Sequence, residues 1–314
     1  MPTPDPILTA SLAGLDLAAP VLVAAGTAGT TDEIGEVLDL SRVGAVVCKS
    51  VTPEPRAGNP APRLVPLDTG MLNAIGLANP GVDAFAESMR GRTPGPCPLI
   101  GSVAAFDLEG YARVAERLAA LDAISAIEIN VSCPNVHGGV EFGADPAALA
   151  EVVQAARDAT TKPVFVKLAP VVVGTPHSIA DLAGVAIDRG ASALTLCNTV
   201  PGMAIDVRTR APELANVTGG YSGPAIRPIV VKLVHEVYRK VAKDAGVPIV
   251  AVGGIAGWRH AAEYILAGAS AVQIGAGSLA NPRIPMKVAS GIARWARAQG
   301  VDSIADLTGA VSLP

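Results

Sequence analysis

Residues 126–139 read AIEINVSCPNVHGG: an apolar β-branched run, Ala126–Asn130, ends on an amide and turns at once into a Pro/Asn/Gly loop that carries Cys133. The same design recurs along the chain. Val21–Ala25, Ala45–Ser50, Pro98–Val103, Pro163–Lys167, Ala193–Cys197, Pro248–Gly253 and Ala271–Ile274 are likewise short and apolar nearly throughout. A strand of a parallel sheet covered on both faces requires that pattern. Between the runs lie segments with apolar residues at three- and four-residue spacing: Leu108–Leu121, Pro146–Ala159, Ile179–Asp188, Ile226–Asp244, Arg259–Leu266 and Ile284–Ala298. Asp107 and Asp145 stand where helix N-caps belong.

Strands alternating with helices fit two architectures, a doubly wound open sheet or a closed (β/α)8 TIM barrel. The barrel places polar residues at the C-terminal ends of its strands. Lys49-Ser50, Ser102, Asn130, Lys167, Asn198-Thr199 and Gly253-Gly254 all fall there, which favours the barrel. Two longer connections, Thr52–Pro80 and Val200–Tyr221, break the rhythm after the second and sixth strands. Long loops at that end of a barrel commonly build the site or its lid. With no internal linker or low-complexity tract, residues 1–314 are expected to form a single domain.

Composition removes several classes of function. The chain has 314 residues, half of them hydrophobic and 17% charged, with 33 Gly and 26 Pro. Disorder and coiled coil do not fit that balance. Aromatic residues make up 3% and the formal charge is −4, so neither base stacking nor attraction to polyanions is expected, and no nucleic-acid partner. The segment Met1–Pro6 has no basic stretch before an apolar core, and no apolar run reaches the ~20 residues of a membrane span. A cytoplasmic protein with reduced thiols is the expectation. Cys48, Cys97, Cys133 and Cys197 lie far apart, a spacing from which no zinc or iron–sulfur site can be written.

Cys133, on the loop beyond a strand end, is placed where a thiol can act as nucleophile or base. The alternative for a free cysteine is a small buried hydrophobe. Asn130 and Asn135, within three residues on either side, favour chemistry, because amides match a polar planar ligand. Lys49 and Lys167 end apolar strands and must be exposed or paired. Either a salt bridge, with Glu128 one candidate acid, or a site that stabilises negative charge would satisfy them. Gly253-Gly254 and Gly275-Ala276-Gly277 follow the seventh and eighth strands, the usual phosphate-binding position in these barrels. Gly219–Gly223 is a further glycine-rich stretch able to cover that position. The residues after the first strand, GTAGT at 26–30, lack the dinucleotide-binding glycine spacing.

Four stretches together resemble the dihydroorotate dehydrogenases, specifically the catalytic subunits of the type 1B enzymes: KSVTPEPRAGNPAPRLVP at 49–66 extended through MLNAIGL at 71–77, residues 128–139, CNTVPGMAID at 197–206, and TGGYSGPAIRP at 218–228. The likeness spans residues 20 to 285. It implies an FMN-dependent barrel that oxidises (S)-dihydroorotate to orotate in pyrimidine synthesis, with Cys133 as the catalytic base. Lys49, Asn73, Ala74, Ile75, Gly76, Leu77, Asn130, Asn135, Asn198 and Thr199 would hold the substrate. Ala25, Lys49, Ser50, Ser102, Asn130, Lys167 and Cys197 would contact the flavin. Gly223, Gly253, Gly254, Gly275 and Ala276 would take its phosphate. The resemblance further implies a homodimer, or a heterotetramer with a subunit that carries FAD and an iron–sulfur cluster and passes electrons to NAD+. This chain departs from the pattern at Ala25, Ser102 and Ala276, where the family often has Ser, Asn and Thr, and its loop after Asn135 is one residue short. A dihydropyrimidine-type flavin reductase, a redox-inactive phosphate-binding barrel and a non-catalytic scaffold are the other readings weighed. The carboxylate-matching Lys49 and the Asn73–Leu77 stretch argue for dihydroorotate.

Overall fold

The computed structural model describes residues 4–29, 32–131, 142–170 and 176–314. Among them, strands β1 (Val21–Val23), β2 (Ala45–Val47), β3 (Leu99–Val103), β4 (Ile124–Asn130), β5 (Val164–Leu168), β6 (Ala193–Leu196), β7 (Ile249–Val252) and β8 (Ala271–Ile274) close into a parallel barrel in sequential order. Closure is made where β8 meets β1, with Val272, Gln273 and Ile274 opposite Val21, Leu22 and Val23. That pairing excludes the open doubly wound sheet, which would leave both strands as edges.

Alternation along each strand builds two cores. Inward-facing Leu22, Val47, Ile100, Ala126, Phe165, Ala193, Val250 and Ala271 pack inside the barrel. Outward-facing residues such as Val46, Ile127, Val166, Leu194 and Val272 meet the surrounding helices. The expected caps are in place: an Asp107 carboxylate oxygen accepts from Gly110 N–H at 2.7 Å and one of Asp145 from Ala148 N–H at 2.8 Å. The segment expected as one helix over Ile226–Asp244 is interrupted. Helix Arg227–Val237 passes through a wider turn, Tyr238–Ala242, before Lys243–Ala245.

The bottom of the barrel is shut by a hairpin, Ala10–Leu12 with Leu15–Leu17, whose Leu12 and Leu17 join the inner core. Its two-residue turn, Ala13 at φ +50° and Gly14 at φ +85°, suits a tight hairpin between right-twisted strands.

The two long connections are not plain loops. Leu64–Leu67, Gly70–Asn73, Gly219–Ser222 and Val200–Gly202 pair into one four-stranded antiparallel sheet above the C-terminal end of the barrel. Main-chain polar groups need partners, and two long excursions over the same rim supply them to each other. Pro66 lies on the outermost strand, where its missing N–H disturbs the ladder least.

Candidate active site

Five strand ends bring their polar side chains to the barrel mouth. Asn198 Nδ2 lies 3.4 Å from Asn130 Oδ1, while the Asn198 main chain is fixed by its N–H to Leu168 O at 2.9 Å. The Thr199 N–H donates to Asn198 Oδ1 at 2.9 Å, so that amide is held from both sides. Tyr111 O–H donates to Asn130 O at 2.9 Å from the helix packed outside. Ser50 and Ser102, both buried, hydrogen-bond to each other at 2.8 Å. Lys49 leaves the ladder after β2, its N–H bonded to Gly29 O at 3.1 Å, and stands half-buried.

Lys167 is buried inside the mouth on β5, opposite Asn130 on one side and Thr195 on the other. Cys197 is buried beside it. Burial pushes the Cys197 thiol well up, against the pull of the Lys167 charge, so it stays a neutral thiol. This agrees with its reading as a residue that packs and contacts by its backbone.

The capping sheet delivers the second group. Asn73 Nδ2 donates to Gly220 O at 3.1 Å, joining the stretch after β2 to the stretch after β6. Residues 74–77 form a turn held by two further asparagines. Asn59 donates to Ala74 O at 3.0 Å and Asn79 to Leu77 O at 2.6 Å. Gly76 and Leu77 take φ +72° and +57°, a backbone path that those bonds impose. Gly220 is pinned between layers, since a Cβ there would meet Thr199 Oγ1 at 1.9 Å.

The glycine loops also converge. Gly254 at φ +64° packs so closely on the preceding loop that a Cβ would stand 2.6 Å from Gly223 O. Tyr264, buried in the outer core, donates to Gly253 O at 2.7 Å and fixes this loop after β7. Gly275 continues β8, and Ala276 opens the short helix Ala276–Ala280. Ala25 lies on the same rim after β1, part-buried against the inner core. Cys133 and Asn135, the base and one substrate amide implied by the resemblance, lie outside the described residues, as does the loop after Asn135.

Sequence reading missed one cluster. Glu128, Thr195 and Gln273 are buried one layer beneath the mouth. The Thr195 hydroxyl and the Gln273 amide both donate to Glu128 Oε2 at 2.8 Å. Of the two lysine readings, the salt bridge to Glu128 is not the one formed: its carboxylate accepts from two neutral donors. A single polar residue at an inward position of ALTL (Thr195) and of AVQI (Gln273), set in otherwise apolar runs, is the signal that marks the layer. Among the described residues no group of three or more His, Cys, Asp or Glu could hold a metal ion, and no helix is long and apolar enough to cross a membrane.

A closed (β/α)8 barrel with amides and cations at its mouth and glycine loops after β7 and β8 is the class of cofactor-binding barrel enzymes. A family model described as dihydroorotate dehydrogenase matches residues 7–295. The dihydroorotate dehydrogenase B (NAD(+)) catalytic subunit of Pelobacter propionicus is 45% identical over 312 residues, covering 98% of this chain and 99% of that protein. The protein of the same name from Geobacter sulfurreducens is 43% identical over 311 residues, with 98% and 99% covered. A crystal structure of the dihydroorotate dehydrogenase of Eimeria tenella in complex with ferulenol superposes with a TM-score of 0.80 over 99% of this chain and 90% of that one. At 23% identity it bears on the fold alone. The chain belongs to the dihydroorotate dehydrogenase family, flavin-dependent oxidoreductases of pyrimidine biosynthesis.

Proposed function

We propose that this chain is the catalytic subunit of an NAD-linked dihydroorotate dehydrogenase, a single-domain barrel that binds FMN and oxidises (S)-dihydroorotate to orotate in the cytoplasm. One observation carries the reading. Side chains from three separate connections, Asn73, Asn130 and Asn198 with Thr199, are locked around one mouth that also holds Lys49 and Lys167. Their amides match the donor and acceptor edges of a pyrimidine ring, and Lys49 supplies the counter-charge for its carboxylate.

The residues present fit FMN. The loops of Gly223 and Gly254 pack so closely that a Cβ on Gly254 would stand 2.6 Å from Gly223 O, and the backbone N–H groups of Gly223, Gly253, Gly254, Gly275 and Ala276 would form a donor set for a phosphate. Lys167, with Ala25, Lys49, Ser50, Ser102, Asn130 and Cys197, would hold the flavin ring. When bound, FMN supplies the two-electron acceptor for the hydride that leaves substrate C6.

The chain's own residues do the rest. Cys133 Sγ removes the proton from C5, on the face opposite the flavin. A thiol of ordinary pKa ~8.5 must be shielded and aimed to serve near neutral pH, so the rate climbs with pH as its thiolate forms. Lys167 contributes a fixed cation where negative charge develops. Ala74, Ile75, Gly76 and Leu77 would line the substrate and exclude water, with Asn135 as a further substrate-binding residue. The names of the relatives mark them as catalytic subunits of NAD(+) enzymes. Electrons would accordingly leave a homodimer of this chain through a partner subunit carrying FAD and an iron–sulfur cluster.

Anaerobic absorption spectroscopy tests the reading. The purified chain should be yellow with one FMN per chain, bleach on addition of dihydroorotate, and respond far more slowly to dihydrouracil. A chain that takes up no FMN on reconstitution, or that prefers dihydrouracil, overturns it.

A further inference from the structure

Among the described residues the barrel interior buries two charged side chains of opposite sign, Glu128 and Lys167. The ladder places them together. Glu128 on β4 pairs in register with Phe165, and Lys167 follows two residues on, facing inward as Phe165 does. On its other side Lys167 pairs with Thr195. The Thr195 hydroxyl reaches over β5 to donate to Glu128 Oε2, so the carboxylate lies against the inner face of the strand that carries Lys167. Gln273 on β8 grips the same oxygen from across the barrel, while Glu128 Oε1 has no hydrogen-bond partner among the described residues.

Below this layer the barrel is filled with Leu22, Ile100, Phe165, Val250 and other apolar side chains. A carboxylate in that setting is retained only with compensation, because removing it from water is expensive. Thr195 and Gln273 supply two donors, and the Lys167 ammonium on the neighbouring strand, in register beyond Phe165, adds an opposite charge through a low-dielectric interior without a direct ion-pair contact. Water and salt screen such a pair little.

We propose that Glu128 is a positioning residue that acts through Lys167: its carboxylate is the buried counter-charge of the ammonium and sets how much positive charge the barrel mouth presents to a bound flavin. The ammonium attracts the electrons that a flavin gains on reduction. The carboxylate beneath it offsets part of that attraction, holding the flavin potential down. The counter-charge itself is a property of the folded chain; its effect on the flavin rests on the reading above.

Glu128→Gln separates charge from packing, since its side-chain oxygen still accepts from Thr195 and Gln273. In the FMN-loaded variant the reduced flavin should gain affinity relative to the oxidised form by about tenfold, an upward shift of about 30 mV for a two-electron couple. Lys167→Gln should move the potential down. Adding Glu128→Gln to Lys167→Gln should raise it far less than in wild type. An unchanged or lowered potential in Glu128→Gln overturns the tuning role. The second arm needs no flavin. In the flavin-free chain, thermal melts of the two single variants and the double should be non-additive, the double recovering stability that Glu128→Gln loses. If Glu128→Gln does not fold, the double variant should. Additive losses, or an unfolded double beside a folded Lys167→Gln, overturn the counter-charge. A wild-type chain that binds no FMN refutes the flavin reading, and the melts then still decide the counter-charge.

Discussion

The side-chain amide of Asn73 donates to the carbonyl of Gly220 at 3.1 Å, a bond between residues 147 positions apart. It joins the excursion after β2 to the excursion after β6, and both to the mouth of the barrel. Each excursion folds back on itself as a hairpin, and the ladder between Gly70–Asn73 and Gly219–Ser222 joins the two hairpins into one sheet, with the glycines at 219 and 220 letting them approach. The site is therefore roofed by a sheet whose integrity depends on small residues.

Gly220→Ala tests that dependence. A Cβ there would stand 1.9 Å from Thr199 Oγ1, so Thr199 or the strand must move. Orotate affinity should fall by about tenfold, equivalent to ~1.4 kcal/mol. Isothermal titration of the FMN-loaded protein with orotate measures it. Unchanged affinity would show that the capping sheet does not set the substrate pocket.

The base is isolated by comparing two cysteines. Cys133→Ser should slow the half-reaction of dihydroorotate with bound FMN by about 10²-fold or more at neutral pH, the scale of losing a general base. The residual rate should keep rising at high pH, past where wild type levels off. Cys197 is buried and held as a neutral thiol, so Cys197→Ser should stay within a few-fold of wild type. Stopped-flow flavin bleaching reads both. Equal loss in the two variants would assign the base elsewhere.

Lys167→Ala removes the cation buried at the mouth. FMN should become harder to reduce and bind less tightly, since charge on the reduced ring loses its fixed partner. Spectroelectrochemistry and equilibrium dialysis against FMN give the two quantities. If both match wild type, the flavin edge is served by another residue.

Alkali should destabilise the fold through its buried thiols. Burial pushes Cys48 and Cys97 from 9.0 up to about 12, and the neighbouring Cys97 adds to the rise at Cys48. In the unfolded chain these thiols ionise near their ordinary value, while the folded chain keeps its protons. Between pH 9 and about 12 the unfolded state thus binds fewer protons, and stability falls as pH rises through that window. Urea midpoints under reducing conditions should drop between pH 8 and pH 10.5, and by less in Cys97→Ala. For the same reason maleimide at pH 8 should leave Cys48, Cys97 and Cys197 unlabelled in the native protein.

The sequence by itself determined the strands and helices of the barrel. Segments such as Val164–Leu168 and Ala193–Leu196 are apolar on both faces, and Asp107 and Asp145 announce their helices. Burial and capping are local constraints, so they leave a local periodic trace. The polar strand ends pointed to the mouth for the same reason: Asn130, Lys167 and Asn198 each interrupt an apolar run where only the end of a strand can receive them. Tertiary structure alone decided the rest. Leu64–Asn73 and Val200–Ser222 carry weak alternation, and the ladder that joins their two hairpins into one sheet forms only where they meet above the rim. Local reading shows only that Glu128, Thr195 and Gln273 interrupt apolar runs, because three residues on alternate strands meet as one layer only when β8 closes on β1. Register across a closed barrel, not sequence proximity, brings the Thr195 hydroxyl and the Gln273 amide onto one buried carboxylate.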